Sequence, residues 1–177
     1  MQIEGKVFLV SGGASGLGAA SAQMLIDAGA RVMLVDVNAQ ALDSQIQKLG
    51  ANARASVTDI TQESAAKAAV EKALTEFGQV NGLINCAGIV GAEKILGKEG
   101  PHGLDSFSRV INVNLIGSFN LLRLTAAAIA EGSADEGGER GVIINTASVA
   151  AYDGQIGQAA YAASKGAIAS LTLPAAR

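Results

Sequence analysis

Lys6-Val-Phe-Leu-Val10-Ser11-Gly12-Gly13-Ala14-Ser15-Gly16-Leu17-Gly18 starts as a short apolar, β-rich run and passes directly into a glycine-rich turn. A brief apolar run bounded by glycines reads as a buried strand. The residues from Ala19 to Ala28, closed by Gly29, read as a helix. A glycine-rich turn between a first strand and a first helix is an anion site. The glycines let the backbone approach a pyrophosphate, and the helix start supplies free N–H groups and a favourable dipole. A plain strand–helix turn would use glycine too, and the spacing Gly12-x3-Gly16-x-Gly18 differs from the commoner G-x-G-x-x-G. Placement between strand and helix is what favours the anion site.

The same alternation continues outward. Arg31 to Val35 is a second strand, ended by Asp36, and Ala39 to Leu49 is a helix that closes on Gly50. Ala51 to Val57 is a weaker strand followed by Thr58-Asp59-Ile60-Thr61, with Thr61 expected to cap a helix that runs to Phe77 before Gly78. Val80 to Asn85 is a fourth strand leading into Cys86-Ala87-Gly88. Ile89 to Leu104, rich in Gly, Lys and Glu and containing Pro101, reads as a loop, and Asp105 as the N-cap of a long helix through Ala130. Glu131 to Arg140 is a polar surface turn, and Gly141 to Ala147 is a fifth, buried strand ended by Ser148. The Ala-rich run carrying Tyr161 is a helix still in register at Arg177. Strands that alternate with helices in this way predict a doubly wound parallel α/β sheet in three layers, strand order 3-2-1-4-5, with residues 1–177 as one domain.

Composition excludes several classes. With 3% aromatic residues and a net charge of −3 there is neither a stacking platform nor a basic footprint for nucleic acid. Cys86 is the only cysteine and His102 the only histidine, which excludes internal disulfides and a zinc site built on His or Cys. No apolar run approaches the ~20 residues that span a bilayer, so no membrane is expected. Nor does the N-terminus carry a signal-peptide pattern, and the expected location is the cytoplasm.

The chemistry sits at the strand ends. Asp36 follows Gly18 by eighteen residues, where a carboxylate accepts both hydroxyls of an adenosine ribose and repels a 2′-phosphate. No Arg lies in the glycine turn or directly after Asp36, so NAD is expected over NADP; the other reading of Asp36 is a solvated turn residue. Asp59 is placed to bond an adenine amino group, or is an ordinary turn carboxylate. Cys86 reads as a small packing residue near the cofactor, since no His is placed to activate a nucleophile. Tyr161 and Lys165 are four apart on a helix and share one face. An ammonium ~4 Å from a phenol favours its ionised form by about 4 kcal/mol at an effective dielectric of ~20. Such a pair suits proton transfer near neutral pH, and Ser148 at a strand end could hold a substrate oxygen beside it. A lone YxxxK is common by chance; the accompanying motifs give it weight.

Those motifs together, Ser11-Gly-Gly-Ala-Ser-Gly-Leu-Gly18, Asn85-Cys-Ala-Gly88, Asn114, Ser148 and Tyr161-x3-Lys165, resemble the short-chain dehydrogenase/reductase family, in its order and with its gap of thirteen from Ser to Tyr. The polar turn before the fifth strand, Gly141 to Ala151 and Gly154 to Tyr161 look closest to its type II 3-hydroxyacyl-CoA dehydrogenases. That group is NAD-dependent and also oxidises some hydroxysteroids. The resemblance implies a Rossmann-type fold and Tyr161 as the acid/base for hydride transfer at nicotinamide C4. It further implies Lys165 on the Tyr hydroxyl and the nicotinamide ribose, and Ser148 on the substrate oxygen. Asn114 would anchor a water that joins Lys165 to solvent; otherwise it is a surface or kink Asn. Gln155 would touch substrate, or serve only solubility in a glycine-rich loop. Gly12, Ser15, Gly16, Leu17, Gly18, Asp36, Asp59, Ile60, Asn85, Cys86, Ala87, Gly88, Tyr161 and Lys165 would hold the cofactor. Lys94 and Lys98 could attract the phosphates of a CoA tail, although a solvated loop is the favoured reading.

Family members continue past the Tyr161 helix into further strands and a substrate lid, and assemble as homo-oligomers, tetramers in the complete forms. The chain departs there, leaving the fifth strand as an expected sheet edge. Three readings follow. One is an NAD-dependent dehydrogenase for a secondary alcohol or ketone, with a 3-hydroxyacyl-CoA as the leading substrate. The second is a truncated NAD-binding module without turnover. The third is a 3-oxoacyl reductase of fatty-acid synthesis, which would prefer NADPH and which Asp36 disfavours.

Overall fold

Val7–Ser11 forms strand β1, and all of its residues are buried. An uninterrupted apolar strand needs cover on both faces, which a central position in a parallel sheet supplies. The computed structural model describes residues 1–177 and provides that setting. Strands β2 (Arg31–Asp36), β3 (Ala53–Val57), β4 (Gly82–Asn85) and β5 (Val142–Asn145) join β1 in one sheet. Its order is β3-β2-β1-β4-β5, and every pairing is parallel. Leu9 lies opposite Met33 on one side and Leu83 on the other.

Alternate residues feed two cores, because successive strand side chains point to opposite faces. Phe8, Val10, Val32 and Leu34 pack with Ala22 and Leu25 of α1 (Gly16–Asp27) and Leu42 and Leu49 of α2 (Ala39–Leu49). Val7, Leu9, Met33, Val35 and Leu83 pack with Ala66 to Phe77 of α3 (Glu63–Phe77) and with Leu121, Leu122 and Ile129 of α4 (Leu104–Ala130). Each fully buried Leu, Val or Ile contributes about 1.5–3 kcal/mol. The chain builds β2 and β3 on one side of β1, and β4 and β5 on the other. The reversal opens a crevice beyond the carboxyl ends of β1 and β4.

The expected alternation is therefore observed, with local differences. Helix α2 matches its expected limits, capped by Asn38, whose Oδ1 accepts the Ala41 N–H at 3.0 Å. Thr61 does not cap α3; Gln62 stands at that position. The Thr61 N–H and hydroxyl instead donate to the Asp59 carboxylate at 2.9 and 2.7 Å, a local turn that outcompetes the cap. Asp105 likewise falls inside the first turn of α4, with Gly103 at the N-cap. The Gly103 N–H donates to Oε1 of Glu93 at 2.6 Å, so a carboxylate from ten residues earlier caps the helix. The expected loop also contains a small antiparallel hairpin, Leu96–Gly97 with Gly100–Pro101.

Two larger corrections concern burial. Strand β5 is not buried: Val142 and Ile144 are 39% and 49% exposed. Its only strand partner is β4, and the following helix α5 (Ala159–Ala176) packs on α4 without covering β5. Helix α4, at 27 residues, is long and apolar enough to cross a bilayer, contrary to the reading that no such run exists. Leu121, Leu122 and Ile129 seat it in the core beside α3, which accounts for its apolar composition. Within α4, Asn112–Gly117 widens to a π-helical turn between α-helical segments Leu104–Ile111 and Ser118–Ala130.

Candidate active site

A cavity of about 640 Å³ fills the crevice. Its lining includes Gly12, Ser15, Gly16, Leu17 and Gly18 of the β1–α1 turn, Asp36 ending β2, Asp59 and Ile60 after β3, and Cys86, Ala87 and Gly88 after β4. These residues are distant in sequence and meet because parallel strands place all their carboxyl ends along one rim. Gly12 has φ +65°, and a Cβ there would stand 2.9 Å from the Ala87 N. The β1 and β4 loops thus touch at a point with no room for a side chain. Ser11 locks the same contact, since its hydroxyl accepts the Ala87 N–H at 3.2 Å and donates to Asn85 Oδ1 at 3.2 Å.

The first turn of α1 opens onto this cavity without a capping side chain and without an acidic residue. Its N–H groups are free for an anion, and the helix dipole favours one. Asp36 Oδ2 accepts the Ala14 N–H at 3.2 Å and Oδ1 the Asn38 N–H at 3.0 Å. Two backbone bonds hold the carboxylate at the cavity wall, with lone pairs left for hydroxyl donors. Hydrogen bonds from Thr61 hold the Asp59 carboxyl below the usual carboxylate range. Volume, bare backbone donors and a fixed acceptor fit a dinucleotide.

The second half of the site comes from α5. Lys165 is only 5% exposed and donates to the Thr146 carbonyl at 2.6 Å. Burial pushes its pKa below the ordinary lysine range, and nearby Cys86 acts in the opposite direction. The ammonium lies 5.8 Å from the centre of the Tyr161 ring. The expected pairing on one helix face is present, but the ammonium bonds the backbone just after β5 and not the phenol. Ser148 lies three residues past β5, at the start of a short 3-10 turn, and its Oγ accepts the Ala150 N–H at 3.1 Å. That bond fixes the oxygen and leaves the hydroxyl proton free to donate. The Thr146 hydroxyl donates to Cys86 Sγ at 3.6 Å, which accords with a packing role for the cysteine.

Asn114 is fully buried in the π turn of α4. Its Oδ1 accepts the Ile89 N–H at 2.7 Å, while Nδ2 donates to the Ile89 carbonyl at 2.9 Å and to Ser164 Oγ at 3.0 Å. Both amide protons are taken, which leaves a second lone pair on Oδ1 for a water. The surface reading of Asn114 is excluded by its burial. π turns are frequent at functional sites, because one extra residue redirects side chains inward.

Other residues stand elsewhere. Asn85 turns away from the cavity, and its Nδ2 donates to Asn145 Oδ1 and the Ser118 carbonyl at 3.0 and 3.3 Å. Gln155 is exposed and borders a separate hollow of about 410 Å³, together with Lys94, Ile95 and Ile156. Lys98 lies beyond it on the exposed hairpin segment. Arg109 and Val113 also line the main cavity. Neither carries a motif of its own, although they stand four apart on α4, with Val113 directly before Asn114.

Glu93 couples this outer region together. Besides capping α4, its N–H donates to the Gly157 carbonyl at 2.9 Å, and Oε2 lies 3.8 Å from His102 Nε2. The Gly103 N–H, then the Ser106 hydroxyl and His102, hold its carboxyl below the usual range. A depressed carboxylate pKa contributes stability that is complete above the unfolded value and is lost as pH falls through the folded one. The Gly103 amide should therefore lose hydrogen-exchange protection below pH 4.5, the ordinary glutamate value. Protection already lost above pH 4.5, or unchanged in Glu93→Ala, would refute the clasp.

The fold and the site define a dinucleotide-binding α/β protein of the oxidoreductase type. A family model for short chain dehydrogenases matches residues 6–177, and the chain belongs to that family. It is 50% identical over 177 residues to 3-hydroxyacyl-CoA dehydrogenase type-2 of Bos taurus, covering 99% of this chain and 68% of the relative. The crystal structure of 3-hydroxyacyl-CoA dehydrogenase type-2 from Mycobacterium avium superposes with a TM-score of 0.94 at 37% identity, covering 100% of this chain and 70% of that one. A short chain dehydrogenase/reductase from Burkholderia phymatum, solved in complex with NAD, gives a TM-score of 0.88 at 30% identity, covering 98% and 60%.

Proposed function

We propose that this chain binds NAD(H) and interconverts a secondary alcohol and a ketone, with the 3-hydroxyl of an acyl-CoA as the substrate. The observation that carries the reading is convergence. The cavity with the glycine turn and Asp36 meets Lys165 at Gly88, whose added Cβ would lie 3.8 Å from the Lys165 Nζ. The likeness to 3-hydroxyacyl-CoA dehydrogenases type-2 supports the acyl-CoA part.

In this reading the α1 N-terminus and Gly12 to Gly18 hold the diphosphate, Asp36 the adenosine ribose, and Asp59 and Ile60 the adenine edge. NAD supplies the hydride acceptor at nicotinamide C4. Ser148 donates its free hydroxyl proton to the substrate oxygen and fixes its position. Tyr161 takes the alcohol proton in oxidation and returns it in reduction. Lys165 keeps positive charge beside the phenol and reaches the nicotinamide ribose. The buried ammonium is worth more there than in water, because little solvent screens it.

The test is oxidation of NADH and of NADPH with acetoacetyl-CoA. Turnover with NADH at least about 100-fold better than with NADPH is expected, since a 2′-phosphate would meet the Asp36 carboxylate. Preference for NADPH would favour the 3-oxoacyl reductase reading. NADH binding with no turnover of any 3-oxoacyl-CoA would favour a module without catalysis.

A further inference from the structure

Ser164 lies between Tyr161 and Lys165 in sequence, yet it faces away from solvent with 0% exposure. Its hydroxyl donates to the Tyr161 carbonyl at 2.7 Å, three residues back, and accepts from Asn114 Nδ2 at 3.0 Å. A helical serine that bonds its own preceding turn is ordinary and would need no second partner. Here the second partner belongs to another helix, at the π turn, and is equally buried.

The connection does not stop at Asn114. Through its two bonds to Ile89 it reaches the loop after β4, where Gly88 and Ile89 line the nucleotide cavity. A Cβ placed on Gly88 would lie 3.2 Å from Asn114 Oδ1 and 3.8 Å from Lys165 Nζ, so all three groups crowd one point. A single buried hydroxyl therefore joins the turn that presents Tyr161 and Lys165 to the cofactor side of the site.

We propose that Ser164 is a positioning residue for the reaction, holding the Tyr161–Lys165 turn in register with the Gly88–Ile89 loop through Asn114. The inference rests on the catalytic reading of Tyr161 given above. Loss of the hydroxyl would leave Asn114 with a buried N–H lacking its partner, and the relaxation would shift the α5 turn against the loop. Misplacement of reacting groups by an ångström is costly in rate while ground-state binding is little changed.

The experiment compares Ser164→Ala, Ser164→Cys, Asn114→Ala, the double variant Ser164→Ala/Asn114→Ala, and Tyr161→Phe in the full chain, with NADH and acetoacetyl-CoA as probes. Ser164→Ala should lower kcat about 10-fold while KM and the NADH Kd change by less than about two-fold. In cofactor-free protein the Ile89 amide should exchange about 10-fold faster. The effect of Ser164→Ala on kcat should vanish in the Asn114→Ala background, because the two act in series. If Ser164→Ala fails to fold, Ser164→Cys, which keeps the volume and weakens the bond, is read by the same criteria. A lower Tm with unchanged kcat per folded molecule and unchanged Ile89 exchange would reduce Ser164 to a structural hydroxyl and overturn the proposal. Tyr161→Phe separates the two levels: near wild-type turnover there sinks the catalytic reading. An inactive Tyr161→Phe beside an unaffected Ser164→Ala sinks only this inference.

Discussion

Tyr161→Phe is expected to lower kcat for acetoacetyl-CoA reduction by about 10³-fold, within the range a positioned acid/base supplies. The substitution removes one oxygen and keeps the ring that lies 5.8 Å below the Lys165 ammonium. Helix α5 should be undisturbed, because its anchorage runs through Ser164 and Lys165, both 5% exposed or less. The NADH Kd should therefore stay within about a factor of two, placing the loss in the transition state and not in ground-state binding. Stopped-flow or steady-state kinetics combined with NADH fluorescence titration separates the two quantities. Retention of more than about a tenth of the wild-type kcat would show that another group moves the proton.

Gly12→Ala should have the second largest effect, a rise in NADH Kd of about 100-fold, and its comparison with Gly16→Ala makes the cause readable. Both glycines have positive φ, +65° and +51°, so each alanine carries a similar conformational penalty of about 1–2 kcal/mol. They differ in surroundings. A Cβ on Gly12 would lie 2.9 Å from the Ala87 N and 3.0 Å from its Cα, backbone atoms that cannot swing aside. A Cβ on Gly16 meets nothing within 4 Å. Gly16→Ala should thus weaken NADH by only about 10-fold, the conformational term alone. Equal losses in the two variants would show that the contact between the β1 and β4 loops does not shape the cradle. Isothermal titration calorimetry gives both constants, and a thermal melt confirms that each variant is folded.

Much of the fold was legible because it is written in local patterns. Helix α2 could be delimited from its own run and the closing Gly50, since a C-terminal glycine acts within a few residues, and the structure adds Asn38 as its cap. Strand β1 and its glycine turn could be read together, as an apolar run and a break in it require no distant partner. Thr61 and Asp105 were misplaced for opposite reasons. At Thr61 the neighbouring Asp59 carboxylate engages the hydroxyl that would have capped, and at Asp105 the cap is supplied by Glu93, ten residues before Gly103. Burial of β5 was misjudged because an apolar strand is the same string of letters whether or not a helix lies over it.

For the site, residue types at strand ends were sufficient to name Gly12, Asp36, Asp59 and Cys86, which line one cavity. Parallel topology delivers every strand's carboxyl end to the same rim, so order along the chain translates into place. Asn85 shows the limit, being the last residue of β4 yet turned into the sheet toward Asn145. Arg109 and Val113 depend on the path of α4 across the crevice, and that path depends on packing against α3 and the sheet.

By itself, then, the sequence determined the element order, the parallel sheet, the phosphate turn and the helical spacing of Tyr161 and Lys165, because each follows from periodicity and backbone chemistry over a few residues. Tertiary structure alone decided that Lys165 bonds the Thr146 carbonyl, that the π turn buries Asn114, and that Ser164 ties Asn114 to the Tyr161 turn. Those bonds join residues from separate elements, and their geometry exists only once α4, α5 and the sheet have packed and excluded water from between them.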